Sequence, residues 1–200
     1  MLLMCTLRSK RFVERFKMSA FAKLGLSQAL TRALSDNNYE TPTPIQTEVI
    51  PLLLKGKDVV GIAQTGTGKT AAFVLPILEK ISKAEQRPRP KTCHALIIVP
   101  TRELASQIED NVAKYGINVP HLRATIVGGM KYPPQIKKMA RGLDIMVATP
   151  GRLEDHLKSG SISLRDTTTI ILDEADQMLD LGFMPAIRRI VAQSPKQRQT

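Results

Sequence analysis

Five apolar, β-branched stretches recur along the chain: residues 58–62 (DVVGI), 94–99 (HALIIV), 124–127 (ATIV), 145–148 (IMVA) and 169–172 (TIIL). They run nearly continuously instead of alternating, which is the pattern of strands buried on both faces. Between them, apolar positions fall at helical spacing over 70–81, 101–114, 134–140 and 151–157. Two more helices are predicted ahead of the first strand, at 27–35 and 45–54, with Ser27 as an N-cap. Strand and helix alternating in this way predict βαβ units and an α/β fold with a doubly wound, mainly parallel sheet flanked by helices. The stretch 86–92 (QRPRPKT) is broken by proline and reads as a solvated basic connection.

In such a sheet, ligands bind outside the carboxyl ends of the strands. The residue types with chemistry to offer sit there. AQTGTGKT follows the first stretch, PTREL the second, GG the third, TPGR the fourth and DEAD the fifth. Residues 63–70 lie between a strand and a helix and have the form of a phosphate loop, with Ala63 where the usual pattern has its first Gly. Gly66 and Gly68 let the backbone curl so that N–H groups converge on one anion. The helix that follows turns its positive end to the same point. Lys69 is placed to reach β/γ-phosphates and Thr70 to ligate Mg²⁺. The competing reading is a plain Gly-containing strand-to-helix turn. Asp173 closes the last strand, where a carboxylate can hold the metal through water, and Glu174 can orient or deprotonate an attacking water. An Asp-Glu pair at that place also suits a helix N-terminus. Asp176 either braces the site or extends the acidic first turn of the next helix.

Composition narrows the class. Two hundred residues with 42% hydrophobic content suffice for one domain, and no apolar run approaches the ~18 residues of a membrane span. The formal net charge of +11 favours a polyanionic partner, nucleic acid before an anionic membrane surface. Only 4% of residues are aromatic and none is Trp, so strand binding cannot rest on an aromatic stacking platform. The two cysteines, Cys5 and Cys93, do not make a disulfide framework and fit a reducing compartment. His94, His121 and His156 have no metal-ligand spacing and read as structural or exposed, as Cys93 reads as packing. The pairs Lys137–Lys138 and Arg188–Arg189 read as solvated helix faces.

Residues 1–18 stand apart as a basic arm, with Arg8, Lys10, Arg11, Arg15 and Lys17 against Glu14. The apolar residues precede the basic ones, the wrong order for a secretory signal. The arm has the make-up of an organellar transit peptide, of a basic tail, or of sequence ahead of a true start at Met18. Residues 19–200 form the expected domain.

The motifs in series resemble the N-terminal RecA-like lobe of a bacterial DEAD-box ATP-dependent RNA helicase, from Phe21 to Thr200. The resemblance implies a RecA-like P-loop NTPase domain. It implies ATP and Mg²⁺ as ligands, held by Ala63, Gln64, Thr65, Gly66, Thr67, Gly68, Lys69 and Thr70, with Thr70 and Asp173 serving the metal. Lys69, Asp173 and Glu174 become the catalytic set. Residues 38–46 (NYETPTPIQ) resemble the family's adenine-reading motif, in which the Gln46 amide suits the donor and acceptor of the adenine edge but not the two acceptors of guanine. Tyr39 and the upstream Phe21 are placed to cover the base; without the resemblance, Gln46 reads as an exposed helix residue and the two prolines as a rigid turn. Asn38 stands where the family has Gly, a change that a left-handed backbone tolerates.

Three loops resemble the family's RNA-contacting segments: Pro100, Thr101 and Arg102; Gly128 and Gly129; and Thr149, Pro150, Gly151 and Arg152. Their hydroxyls, guanidinium groups and Gly N–H groups suit phosphate oxygens, which position a strand without reading its sequence. Thr101 and Thr149 also suit helix N-caps. The resemblance further implies a cytoplasmic monomer with RNA as partner, no membrane, and a second RecA-like lobe that these 200 residues do not contain. The lobe by itself is expected to bind nucleotide with little turnover.

Overall fold

Four parallel strands form the sheet: β1 (Cys93–Ile98), β2 (Arg123–Ile126), β3 (Leu143–Ala148) and β4 (Thr169–Leu172), in the spatial order β2-β3-β1-β4. The structure is a computed structural model that describes residues 19–64 and 66–200; the basic arm at 1–18 and Thr65 lie outside the described residues. Leu96 stands opposite Met146 on one side and Ile170 on the other, and Ile97 opposite Val147 and Ile171. Every residue of β3 is buried, as a near-continuous apolar run requires of a strand covered on both faces.

Alternation along the strands splits the core into two layers. Ala95, Ile97, Ile145 and Val147 face helices α1 (Gln28–Asp36), α2 (Pro44–Leu54), α3 (Lys69–Ser82) and α4 (Arg102–Tyr115). Leu96, Ile98, Met146 and Ala148 face α5 (Tyr132–Met139), α6 (Pro150–Lys158), α7 (Ala175–Asp180) and α8 (Met184–Val191). Each fully buried Leu or Ile in these layers contributes about 1.5–3 kcal/mol of transfer free energy.

Four of the five predicted strands form. Residues 58–62 do not: they carry no strand geometry, and Val60 and Ile62 are 91% and 94% exposed. A strand is held by ladder partners. Here Val59 N–H donates to the Thr200 carbonyl at 3.2 Å, and Thr200 N–H to Asp58 Oδ1 at 2.8 Å. Gln199 is bonded in turn to β4, through Ile170 N–H to its carbonyl and its own N–H to Thr168. Residues 199–200 therefore lie between β4 and residues 58–59, while residues 60–62 have no ladder neighbour among the described residues.

One local reading is corrected and two are extended. Residues 86–92 are anchored rather than merely solvated: Pro88 is buried and Arg89 forms a two-pronged ion pair with Asp166. Ser27 is the N-cap of α1, as expected, but its hydroxyl makes no cap bond; its N–H donates to the buried Glu79 carboxylate at 2.8 Å, tying the start of α1 to α3. Arg189 is exposed, as a solvated face requires, but it is also paired, gripping Glu154 at 2.6 Å and joining α8 to α6.

Candidate functional site

The phosphate loop is shaped by glycine. Gly66 and Gly68 have φ of 82° and 90°, the left-handed region in which a side chain is strained. Gly68 is also the N-cap of α3, and a Cβ there would collide with the Gln46 amide. The first N–H groups of α3 lack partners within the helix, and Lys69 and Thr70, its first two residues, stand half-buried beside them. Thr67 folds back on the loop, its hydroxyl donating to the Gln64 carbonyl at 2.7 Å. Ala63 is half-buried and Gln64 exposed, at the entry to the curl.

Across from the loop, β4 delivers Asp173, whose N–H donates to the Ile98 carbonyl at 3.0 Å and fixes the strand end against β1. Glu174 follows in a left-handed conformation, φ 54° and ψ 49°, and its N–H donates to Asp173 Oδ1 at 3.2 Å. A left-handed non-glycine residue carries strain of about 1–2 kcal/mol. Burial pushes the Asp173 carboxyl above its ordinary range, and the charges of Glu174 and Asp176 push the same way; Lys69 and the Glu174 N–H oppose them. Lys69, Asp173, Glu174 and Asp176 line one cavity of about 740 Å³, which continues between residues 58–62 and β4 over Val59, Phe73 and Ile171. Among the described residues lining it, Lys69 is the one cation.

The donor set fits a hydrated divalent cation. The half-buried carboxylates of Asp173 and Glu174 crowd one another, Thr70 follows the cavity-lining Lys69 with a half-buried hydroxyl, and a cation would relieve the crowding that raises Asp173. No group of three or more His, Cys, Asp or Glu side chains converges on a metal position among the described residues. Water and phosphate oxygens would therefore have to supply most of the coordination, as Mg²⁺ commonly prefers.

Gln46 is not an exposed helix residue: it is 1% exposed. Its Oε1 accepts the Thr43 N–H at 3.0 Å, and its Nε2 donates to the Gly68 carbonyl at 3.1 Å. The amide so closes a capping box on α2 and braces the phosphate loop. Its two expected companions lie elsewhere. Phe21 is buried in the core layer under α1–α4. Tyr39 packs edge-on against Tyr115, with its hydroxyl accepting from the Tyr115 hydroxyl at 3.3 Å and Lys114 over its ring. Asn38 adopts the left-handed conformation, φ 60°.

The other three loops meet on one rim, because β2, β3 and β1 are neighbours in the sheet. Pro100 is buried, and Thr101 caps α4 by accepting the Leu104 N–H at 3.2 Å. Arg102 lies against Gly128 and Gly129; a Cβ on Gly129, itself at φ 73°, would collide with the guanidinium. Thr149 makes no side-chain cap bond to α6, so its half-buried hydroxyl keeps its bonding capacity for a ligand. Pro150 begins α6, and Gly151 faces open space. Arg152 Nη1 donates to the Met130 carbonyl at 2.9 Å, joining the loop after β3 to the loop after β2. Two residues enter this rim that the sequence reading left as background: Tyr132 stacks on His156 with ring centroids 4.0 Å apart, and Arg152 lies over the Tyr132 ring at 5.3 Å. The i, i+4 spacing of Arg152 and His156 on one helix was the signal available for them.

A glycine-curled loop ahead of a helix, facing a half-buried aspartate at a strand end in a parallel sheet, defines a P-loop nucleotide-binding α/β domain. The chain belongs to the DEAD/DEAH box helicase family, whose model matches residues 43–200. It is 44% identical over 187 residues to the ATP-dependent RNA helicase DeaD of Escherichia coli K12, a match that covers 91% of this chain and 28% of that protein. It is 45% identical over 181 residues to the ATP-dependent RNA helicase CshA of Limosilactobacillus reuteri, covering 90% and 35%. The crystal structure of a DEAD box protein from the hyperthermophile Methanococcus jannaschii superposes with a TM-score of 0.83 at 37% identity, covering 90% of this chain and 48% of that one. The chain thus spans about a third of the length of these curated relatives.

Proposed function

We propose that the chain is the ATP-binding and RNA-contacting lobe of an ATP-dependent RNA helicase, a protein that couples ATP hydrolysis to local opening of RNA duplexes. The observation that carries this reading is the single cavity shared by Lys69 and the Asp173–Glu174 strand end. The phosphate loop and the α3 N-terminus hold the triphosphate, with Lys69 on the β/γ oxygens. Asp173, through water, and the Thr70 hydroxyl would hold Mg²⁺, which would supply charge to offset that developing on the phosphates. Glu174 orients the attacking water and receives its proton. Gln46 selects adenine by exchanging its bonds to the Thr43 N–H and the Gly68 carbonyl for the donor and acceptor of the base edge when nucleotide enters.

RNA lies along the rim built by Thr101, Arg102, Gly128, Gly129, Thr149, Gly151 and Arg152, held by its phosphates without reading of sequence. The protein works in the cytoplasm as a monomer. With Lys69 as the one cation among the described residues lining the cavity, turnover needs a charge supplied from outside it, an effect of roughly 10³–10⁵ in rate for an arginine finger. The 200 residues are therefore expected to bind ATP and RNA with hydrolysis near background, and a second lobe to raise it.

Titration with fluorescent ATP and GTP analogues, followed by phosphate release with and without oligouridine or oligothymidine, tests the reading. ATP is expected to bind better than GTP, with the preference lost in Gln46→Ala. Equal affinity for both nucleotides would remove the adenine assignment. Robust RNA-stimulated turnover by this chain alone would show that it carries its own transition-state cation. A preference for the DNA strand would move the function to a DNA motor.

A further inference from the structure

We propose that Tyr132 and His156 form a positioning stack that sets Arg152, and through it the Gly128–Gly129 loop, in the geometry that grips a strand's phosphates; the inference rests on the RNA-contacting role proposed for this rim.

The stack is layered. The His156 imidazole is fully buried, and neither ring nitrogen has a hydrogen-bond partner among the described residues. It acts as a flat plate, with the Tyr132 ring lying 19° from parallel on top of it at 4.0 Å. The Arg152 guanidinium lies over the same Tyr132 ring, 5.3 Å from its centroid. Burial pushes His156 down from its ordinary value, and the Arg152 charge does the same against an opposing effect from Asp155, so the balance favours the uncharged ring. Two further bonds fix the tilt of the tyrosine and the reach of the arginine: Tyr132 Oη with Ser159 Oγ at 3.2 Å, and Arg152 Nη1 with the Met130 carbonyl at 2.9 Å.

The arrangement matters because an exposed arginine is floppy, and ordering one on ligand binding costs roughly 1–2 kcal/mol of rotamer entropy. Here a single guanidinium donor holds Met130, the residue that follows Gly129, and the ring fixes the guanidinium plane. The remaining donors stay free for phosphate oxygens. Tyr132 and His156 come from helices on neighbouring crossovers, α5 and α6, so the stack also locks two of the three rim loops into one body.

The test is anisotropy of labelled oligouridine with the full chain at several salt concentrations, alongside thermal melts and binding of a fluorescent ATP analogue as checks of folding. Arg152→Ala is expected to weaken RNA binding, and Tyr132→Ala to weaken it about fivefold, in the range of a partly desolvated cation–π contact. Tyr132→Phe keeps the π face and is expected to bind within about twofold of the parent, since it loses only a half-exposed hydroxyl bond. Tyr132→Leu keeps apolar cover without a π face and is expected to behave like Tyr132→Ala. The double variant with Arg152→Ala should bind no worse than Arg152→Ala alone, the sign of residues acting through one contact. The salt slope of Tyr132→Ala should fall by about 0.7, one single-strand phosphate contact.

Several results would overturn the stack: full rescue by Tyr132→Leu, additive losses in the double variant, or unchanged binding in Tyr132→Ala while Arg152→Ala weakens. In those cases the RNA-contacting role of the rim survives. Unchanged binding in Arg152→Ala removes that role and the inference with it.

Discussion

The loops that follow β1, β2 and β3 rise from hydrogen-bonded strands, whereas the phosphate loop follows a segment that meets a ladder neighbour only at Val59. Both are shaped for phosphate, but by different means. The phosphate loop is built locally, from Gly66, Gly68 and the N-terminus of α3, with the Gln46 amide as its brace. The rim is built across the sheet: Arg102 reaches from the loop after β1 to that after β2, and Arg152 from the loop after β3 to the same place. A cradle for one compact anion needs consecutive N–H groups of one segment. A grip on an extended chain of phosphates needs several segments at fixed spacing, which a parallel sheet supplies through its register.

The comparison can be broken at the sheet. Ile97 is fully buried and paired on both sides, and Ile97→Ala is expected to cost about 2–5 kcal/mol in urea unfolding. RNA binding should fall before nucleotide binding as the sheet is weakened; simultaneous loss would mean that the phosphate loop leans on the same register.

Lys69→Ala acts on the other side alone. Losing a charged hydrogen bond of roughly 1.5–3 kcal/mol should lower affinity for a fluorescent ATP analogue by about ten- to a hundredfold, with the unfolding midpoint unmoved. Magnesium-dependent binding that survives the substitution would sink the phosphate-loop assignment.

A pH titration sharpens the rim. Arg189 first, then Lys158, hold the Glu154 carboxyl down at about 2, against 4.5 for a free glutamate. The folded state therefore binds this proton later than the unfolded one. The stabilisation is fully present above pH 4.5 and is lost as pH falls from there through about 2. Glu154→Gln should be less stable than the parent at neutral pH and converge with it at the acid end; a constant gap would place the contribution outside the ion pair.

The smallest effect belongs to residues 60–62. Val60→Thr and Ile62→Thr, at positions 91% and 94% exposed, should change stability by less than about 0.5 kcal/mol. A loss comparable to that of Ile97→Ala would mean that this segment is covered in solution.

Those two side chains also mark where sequence reading stops. The run at 58–62 shares the β-branched apolar character of the four runs that became strands, with Asp58 and Gly61 added. Composition reports that a segment suits a ladder, not that a neighbour is beside it. Glycines, the Lys-Thr ending and the acidic strand end were legible because each does its chemistry within a few residues. Contacts between distant segments were not. Arg89 and Arg189 read as solvated charges, yet their partners stand 77 and 35 positions away. Tyr39 and Phe21 read as covers for a base, but a tyrosine 76 positions along and the core of the domain claim them. Tyr132 and His156 meet only because two crossover helices lie side by side, which the pattern of either helix alone does not disclose.

The strand order has a consequence for the chain as it is made. β1 is the earliest strand among the described residues and lies inside the sheet, between β3 and β4. Its partners arrive late: Leu143 follows Cys93 by 50 positions, and Thr169 follows Ala95 by 74. At a synthesis rate of about 5–20 residues per second, β1 waits roughly 2.5–10 s for its first neighbour and roughly 4–15 s for its second. Throughout that interval the segment Ala95–Ile98 is a bare apolar edge on both sides, the kind of surface that pairs with strangers. Helices α3 and α4, complete before β3 is made, are the cover the nascent chain has for it.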